Sequence, residues 1–359
     1  MPTAGERAGW IDLTKGFAIL FVVMHHAGTY DRAIFSLGSN GVDHFWVGAE
    51  LLLYHMRLPL FFFVSGMLAS GHYSRRSTGP TLDSARRVGR TYVVWAIILS
   101  FLAPDWPLDH VRLMPDWHRL PAILWGGSVA WYLWAMLLSF GFAWGTRRLP
   151  SAVAVGLAVL VGAVLPELIA EAGSAFRSFA RCLPLYVLGM RFPGVGSWIA
   201  GQCGVRRISA VVLAYLIAAS LSGAWSIPMV LMDIFGIVVG LALVGATSRH
   251  AMGQLGWIAW MGRRTLPVYL IHFPVIAVLG CAAIRLLPQL PPQHPMSFLF
   301  VPVISILAIG ASIAVHRIIV SVGGGWLFAP PSPLDVLLRR RRSQPIRPTD
   351  QLPMDGEAA

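Results

Sequence analysis

Apolar residues in this chain are collected into long runs that short polar stretches separate. A helix rises about 1.5 Å per residue, so about 17 to 25 mainly apolar residues cross the hydrocarbon core of a bilayer. We predict ten membrane-spanning helices, at about residues 11–29, 46–70, 89–103, 125–145, 151–169, 178–193, 208–224, 227–246, 265–287 and 297–320. The runs at 89–103 and 178–193 are the least regular, so nine or eleven spans are the alternatives. The pattern predicts an all-α polytopic membrane protein of about ten transmembrane helices.

The composition agrees with a bilayer as the main solvent. Of the 359 residues 56% are hydrophobic and 12% are charged, and the mean hydropathy is +0.66. A soluble fold cannot cover that much apolar surface. These values exclude an intrinsically disordered chain, a coiled coil, a disulfide-stabilised secreted protein and a soluble nucleic-acid-binding domain. Three widely spaced cysteines predict neither a disulfide framework nor a metal site.

The net charge of +12 is explained by membrane topology. The basic residues alternate between the two sides of the predicted spans, and 20 of the 28 fall on the side of the N-terminus. Because cytoplasmic loops retain Lys and Arg, we predict that both termini are cytoplasmic. We therefore expect a lipid bilayer, and no nucleic acid, as the partner of this basic chain. The predicted location is the inner (plasma) membrane.

The last part of the chain differs from the rest. We assign residues 1–325 to a transmembrane domain and residues 326–359 to a cytoplasmic tail. The tail contains a proline-rich stretch at 330–333 and four consecutive arginines at 339–342. Such a composition is typical of disorder.

Ionisable residues inside the first predicted span indicate a functional site, because a charge in lipid needs a partner or a ligand. Asp12 and Lys15 are three residues apart and can form an ion pair. Lys15 and His26 are eleven residues apart, so they share one helix face at a separation of about 16 Å. His25 points about 100° away from His26 and serves as its comparison. In the competing interpretation Asp12 and Lys15 are anchors at the membrane interface, and the histidines form hydrogen bonds with other helices.

The second span repeats this anomaly. Arg57 needs an anionic partner, which is either Glu50 two turns earlier or a bound ligand. A helix kink at Pro59 with a buried ion pair is the structural alternative. Ser65 and Gly66 allow close approach of a neighbouring helix, and we interpret Ser65 as a packing residue rather than a nucleophile.

Two further groups are candidates for the same site. Arg86, Arg87 and Arg90 lead into the third span, where they would suit a polyphosphate ligand. Tyr269 and His272 are three residues apart on one helix face near the start of the ninth span. A buried structural histidine is the competing interpretation of His272.

The residues of the first span resemble a motif of the acyltransferase 3 family of integral membrane O-acyltransferases. That family carries a basic residue, ten intervening residues and then a histidine. The positions that fit are Asp12, Lys15, Gly16, Ala18, Ile19 and His26. The opening from Trp10 to Lys15 is most similar to the fucose-acetylase and glucan-modifying branch. Lys15, where many members have arginine, and the extra His25 are departures from the pattern.

A second block strengthens the resemblance. The stretch from Arg57 to Gly66 is similar to the family's Arg-Met-Pro-x-Phe-Phe-x-x-Ser-Gly pattern. The arginines at 86, 87 and 90 and the segment from Tyr269 to His272 also fall where the family carries similar segments. The resemblance covers nearly the whole chain, and ten spans is the family's usual number.

The resemblance implies transfer of an acyl group, usually acetyl, from cytoplasmic acyl-CoA to a hydroxyl of a sugar or glycan. It makes His26 the catalytic residue, as a general base or as the acyl carrier. Implied acyl-CoA-binding residues are Lys15, Arg57, Arg86, Arg87 and Arg90. Implied supporting residues are Asp12, Ser65, Tyr269 and His272. No bound cofactor and no metal is expected, since acyl-CoA is a co-substrate; the acceptor, the acyl group, the side of transfer and the oligomeric state stay open.

Two other classes of membrane protein compete with this interpretation. A transporter or flippase would also line a path with polar residues, but the chain has no detectable inverted repeat. A polyprenyl-sugar glycosyltransferase usually needs paired acidic residues, and the acids on the predicted outer side form no such motif.

Overall fold

The computed structural model describes residues 4–35, 41–73, 79–102, 121–168, 173–201, 204–221, 229–250, 252–286 and 296–329. Every regular element in these ranges is helical. The α-helices are α1 (Ala4–Phe35), α2 (Gly41–Tyr73), α3 (Gly79–Leu102), α4 (Trp131–Gly145), α5 (Ser151–Leu168), α6 (Ser174–Arg191), α7 (Pro193–Gly201), α8 (Val205–Leu221), α9 (Met229–His250), α10 (Met252–Gly262), α11 (Thr265–Leu286) and α12 (Met296–Ser321). The same ranges contain two 3-10 helices, Pro121–Trp125 and Gly324–Leu327.

Each of the ten predicted spans overlaps one of these helices, so the all-helical prediction is confirmed. Within the described ranges four stretches are long and apolar enough to cross a membrane: Phe45–Gly71, Met229–Arg249, Thr265–Ala283 and Phe298–Ser321. A fifth results if α7 and α8 count as one bent span. The protein is therefore a multi-pass membrane protein.

Apolar side chains face outward on the long helices, as expected for a chain solvated by lipid. Leu51, Val278, Ile306 and Ile318 are each more than 60% exposed although all lie within long helices. A water-soluble helix would place such residues in its core.

Glycine residues let α2 pack closely on α6. A side chain at Gly66 would collide with the backbone carbonyl of Tyr186, and one at Gly189 would collide with that of Phe63. The two backbones can therefore approach only because both positions lack a Cβ. This contact confirms the prediction of close helix approach at Ser65 and Gly66.

Contacts fix the directions of α6 and α9 relative to α2 and place α1 beside it. Arg181 contacts the backbone of Tyr54, and Tyr186 faces Gly66, so α6 runs parallel to α2. Gly236 of α9 faces His55 and Gly240 faces Leu60, so α9 is also parallel to α2. The His25–Glu50 contact places the C-terminal half of α1 beside the N-terminal half of α2.

The first residues of the predicted tail pack against the helical domain. The indole Nε1 of Trp95 in α3 donates to the Leu327 carbonyl at 2.8 Å. The Phe328 ring contacts the His316 ring of α12, with centroids 4.5 Å apart. Residues 330–359, which hold the rest of the predicted tail, lie outside the described residues.

Candidate active site

A cavity of about 450 Å³ lies between α1, α2, α4, α6 and α11. Its wall includes five of the residues predicted for the site: Lys15, His26, Arg57, Ser65 and Tyr269. The two helices that carry the strongest sequence motifs, α1 and α2, therefore face the same space.

Lys15 lies at one end of this cavity, together with Thr265 at the start of α11. Its Nζ is 2.8 Å from a carboxylate oxygen of Asp12, which is the ion pair expected from their spacing. Asp12 also faces Arg263 at 3.6 Å. One carboxylate thus faces two cations, and the cluster keeps a net positive charge. Lys15 is the single lysine of the chain.

His26 lies among aromatic rings at the wall of the cavity. Its ring centroid is 5.1 Å from that of His25, 5.2 Å from that of His272 and 5.3 Å from that of Phe273. The imidazole therefore has protein neighbours as well as the cavity on its surface. Lys15 and His26 lie along one stripe of α1, as their spacing requires.

His25 also lines the cavity, and it pairs with Glu50. Its Nδ1 is 2.6 Å from the Glu50 Oε1. A second, much smaller cavity of about 20 Å³ is lined by His25, Glu50 and Arg57. Glu50 was predicted from the sequence as one possible partner of Arg57. In the structure it contacts His25 of α1.

Arg57 is buried in the wall between these two cavities, with 7% of its surface exposed. Its guanidinium lies 5.4 Å from the centroid of the Tyr54 ring. The Glu50 carboxylate lines the smaller cavity together with Arg57, and its charge interacts favourably with the guanidinium. A buried cation in this position can bind an anionic or strongly polar group in the cavity.

Ser65 is held in a hydrogen-bonded chain rather than beside a base. Its Oγ is 2.8 Å from the Tyr132 hydroxyl. The Tyr132 backbone N–H donates to the Tyr269 hydroxyl at 3.0 Å, and that hydroxyl donates to the Val129 carbonyl at 2.9 Å. The chain connects α2, α4 and α11 and shapes the wall of the cavity.

His272 lies behind His26 and not in the cavity wall. It is fully buried, and its Nδ1 is 3.0 Å from the Val268 carbonyl oxygen and 2.8 Å from that of Tyr269. The structure thus brings His26 of α1 into contact with His272 of α11. The sequence made both residues candidates for one site but did not predict this contact.

The arginines of α3 are not part of the cavity wall. Arg86 faces Asp83 at 3.8 Å, Arg87 donates to Ser84 at 3.2 Å, and both side chains are exposed. Any contact of these arginines with a ligand would therefore take place outside the cavity.

A buried ionic cluster beside the cavity was missed by the sequence analysis. Asp233 of α9, which is 0% exposed, accepts from the Arg181 Nε at 2.6 Å and also pairs with its NH2 group. His55 Nδ1 lies 2.7 Å from the same carboxylate. Arg181 also lies 3.8 Å from the centroid of the Tyr54 ring, which lines the cavity. The signal was present, since Asp233 is a lone acid in an apolar run and Arg181 lies inside a predicted span.

Comparisons with known proteins agree with the motifs that line this cavity. Residues 8–317 match the acyltransferase domain that defines the acyltransferase 3 family. The chain therefore belongs to the acyltransferase 3 family, and membership indicates an integral membrane acyltransferase.

A curated relative has a similar length. The chain is 24% identical to the inner membrane protein YcfT of Escherichia coli (strain K12), over 91% of this chain and 97% of that protein. No solved structure matches.

Proposed function

We propose that this protein is an O-acyltransferase that moves an acyl group, acetyl in the simplest case, from cytoplasmic acyl-CoA to a hydroxyl of a sugar in a glycan. One observation carries the proposal: the Lys15 amine and the His26 imidazole line the same cavity. A cation that can hold a phosphate and an imidazole that can accept a proton are the two groups that transfer from a CoA thioester needs.

The proposal includes ten membrane spans, cytoplasmic termini and a location in the inner membrane. The parallel arrangement of α2, α6 and α9 supports it, because ten alternating spans give these three helices the same direction. The printed name of the Escherichia coli relative also supports an inner-membrane location. With this topology, Lys15 lies at the cytoplasmic end of α1.

The size of the cavity suits part of the donor. A volume of about 450 Å³ lies within the range of small-molecule sites, about 300–1,000 Å³. It holds an acyl group and a pantetheine arm with part of an acceptor, and it leaves the nucleotide outside near Lys15 and Arg263. Arg86, Arg87 and Arg90 are proposed as further phosphate contacts beyond the cavity mouth.

In the proposed reaction, His26 removes the proton from the acceptor hydroxyl while the hydroxyl oxygen attacks the thioester carbonyl. A C–O bond forms, the C–S bond breaks, and the imidazolium returns the proton to the leaving CoA thiolate. In the alternative route a ring nitrogen of His26 attacks the thioester carbonyl, so that an N–C bond forms and the C–S bond breaks to release CoA thiolate. The acceptor oxygen then attacks the acyl group, the C–O bond forms, the N–C bond breaks, and the hydroxyl proton passes to the thiolate.

Because Lys15 is the single lysine, an amine-selective reagent tests donor binding directly. We expect CoA to protect Lys15 from modification, since phosphate contact withdraws the amine from the reagent. Lys15→Gln is expected to raise KM for acyl-CoA about 10-fold or more, because a hydrogen bond to a charged group contributes about 1.5–3 kcal/mol. Peptide mass analysis after labelling and initial-rate kinetics measure the two effects.

Dephospho-CoA and free pantetheine are the controls, and they are expected to protect Lys15 progressively less. Equal labelling of Lys15 with and without CoA contradicts the donor site. The same reagent in membrane-impermeant form is expected to modify Lys15 in inside-out vesicles and not in right-side-out vesicles. Acyl-CoA-dependent modification of an acceptor by the protein in detergent excludes a pure transporter.

The acceptor is proposed to bind near Ser174 and Ser178 of α6. Both line the cavity. They lie on the His26 side of it, because α6 is parallel to α2 and Arg181, one turn further along, is level with Tyr54. A serine hydroxyl both donates and accepts hydrogen bonds, so it can bind a sugar hydroxyl in either role.

Replacing both serines by alanine is therefore expected to raise KM for the acceptor about 5- to 100-fold, because each lost hydrogen bond costs about 0.5–1.5 kcal/mol. KM for acyl-CoA is expected to stay unchanged. Initial rates with each substrate varied in turn measure this. Ser197→Ala in α7, whose hydroxyl bonds the Gly194 carbonyl away from the cavity, is the matched control. A rise in KM for acyl-CoA alone would place the donor, not the acceptor, at these serines.

A further inference from the structure

Among the described residues, one buried ring nitrogen of His272 has no hydrogen-bond partner. The two groups near Nδ1 are the carbonyl oxygens of Val268 and Tyr269, and carbonyls only accept hydrogen bonds. Nδ1 therefore carries the proton, and in the neutral ring Nε2 has a lone pair. Nε2 is buried and has no hydrogen-bond partner among the described residues. A buried acceptor without a donor costs about 1–3 kcal/mol, so this atom calls for an N–H or O–H group.

The groups packed around His272 narrow the choice of donor. Its ring contacts those of His26, at a centroid distance of 5.2 Å, and Tyr269, at 6.1 Å. The Tyr269 hydroxyl already donates to the Val129 carbonyl. His26 is then the neighbouring ring whose N–H can serve His272, and a rotation of the His26 side chain is needed to bring the two nitrogens together. Hydrogen bonds in active sites are often long before substrate binds.

His26 lies between the cavity and His272. His26 lines the cavity and His272 does not, so a ligand in the cavity meets His26, and His272 lies on the far side of that ring. In other enzymes a buried hydrogen-bond acceptor behind a catalytic imidazole orients the imidazole toward the reacting group. His272, His26 and the cavity have the same order.

We propose that His272 Nε2 accepts the ring N–H of His26 and so fixes the tautomer of His26 that presents a lone pair to the cavity. His272 is a positioning residue, since it acts on substrate through His26. The kinetic consequence rests on the proposed function, whereas the tautomer of His26 is a property of the folded protein alone.

The first test compares His272→Leu with His272→Gln. Leucine removes the acceptor at similar volume, and glutamine keeps an amide oxygen at the reach of Nε2. We expect His272→Leu to lower kcat about 10- to 100-fold, as loss of an outer hydrogen-bond partner does at other sites. We expect KM for acyl-CoA to stay unchanged and His272→Gln to recover most of kcat. Equal losses in both variants, or an unchanged kcat in His272→Leu, overturn the proposal.

The second test needs no activity and uses the wild-type protein. Nitrogen-15 NMR of histidine-labelled protein in detergent distinguishes protonated from unprotonated ring nitrogens, and the His26 signals are assigned by their loss in His26→Gln. We expect one tautomer of His26 in the wild type and in His272→Gln, and a mixture in His272→Leu. A mixture in the wild type overturns the proposal even if His272→Leu fails to fold. If the wild type shows no acyl transfer but a single tautomer, the proposed function fails while the His26–His272 bond stands.

Discussion

Replacing His26 by glutamine is expected to lower kcat for acyl transfer about 10²- to 10⁴-fold, the usual contribution of a general base. Glutamine keeps a hydrogen-bonding group of similar reach, but it cannot take up a proton near neutral pH. KM for acyl-CoA is expected to change little, because Lys15 and Arg57 are untouched. Initial rates of the purified protein in detergent, with acetyl-CoA and a panel of sugar acceptors, measure this. If His26 is the acyl carrier, turnover is expected to vanish altogether.

His316→Gln is the matched control for this variant. His316 lies in α12, packs on Phe328 and does not line the cavity. Its replacement is expected to leave both kinetic constants unchanged. His25 is a poor control, although the sequence offered it as the comparison, because it lines the cavity and bonds Glu50. A His26→Gln protein that folds and keeps the wild-type kcat contradicts the mechanism.

Replacing Asp233 by asparagine is expected to lower the free energy of unfolding by about 3–5 kcal/mol. The carboxylate is completely buried and balances Arg181, whose side chain is 10% exposed. Asparagine has nearly the same shape but no charge, so the guanidinium stays buried without compensation. Denaturant unfolding in detergent, followed by tryptophan fluorescence, measures the loss.

Asp83→Asn is the control for this effect. Asp83 faces Arg86 at 3.8 Å, but both side chains are more than 60% exposed, and exposed pairs contribute about 0–1 kcal/mol. A double variant, Asp233→Asn with Arg181→Gln, is expected to be more stable than Asp233→Asn alone, because it also removes the unbalanced charge. Unfolding of Asp233→Asn at the wild-type midpoint would show that the ion pair does not stabilise this bundle.

Much of the fold follows from local patterns in the chain. The ten apolar runs each overlap a helix, because helix formation in a bilayer depends on the length and polarity of one contiguous segment. The short helices α7 and α10 were not predicted, because runs of 9 and 11 residues are too short to meet the criterion for a span. The close crossing of α2 with another helix was expected from Gly66, but the partner Gly189 was not, since no local signal names it.

Some features of the candidate site likewise follow from local sequence patterns, and others depend on how the helices pack. The Asp12–Lys15 pair and the shared face of Lys15 and His26 follow from helical spacing within α1. The position of Arg86, Arg87 and Arg90 relative to the cavity depended on how α3 packs, and the structure keeps them outside the cavity wall. Their role in binding acyl-CoA stays a prediction.

The sequence by itself determined that this protein is a helical membrane protein with a cation and an imidazole on one stripe of its first helix. Helical periodicity makes those features local. The tertiary structure alone decided that Asp233 balances Arg181, 52 residues away, and meets His55, 178 residues away. It also decided that Glu50 bonds His25 and that His272 lies behind His26. These contacts depend on which helix faces meet, and that choice is made by packing across the whole bundle rather than by any single segment.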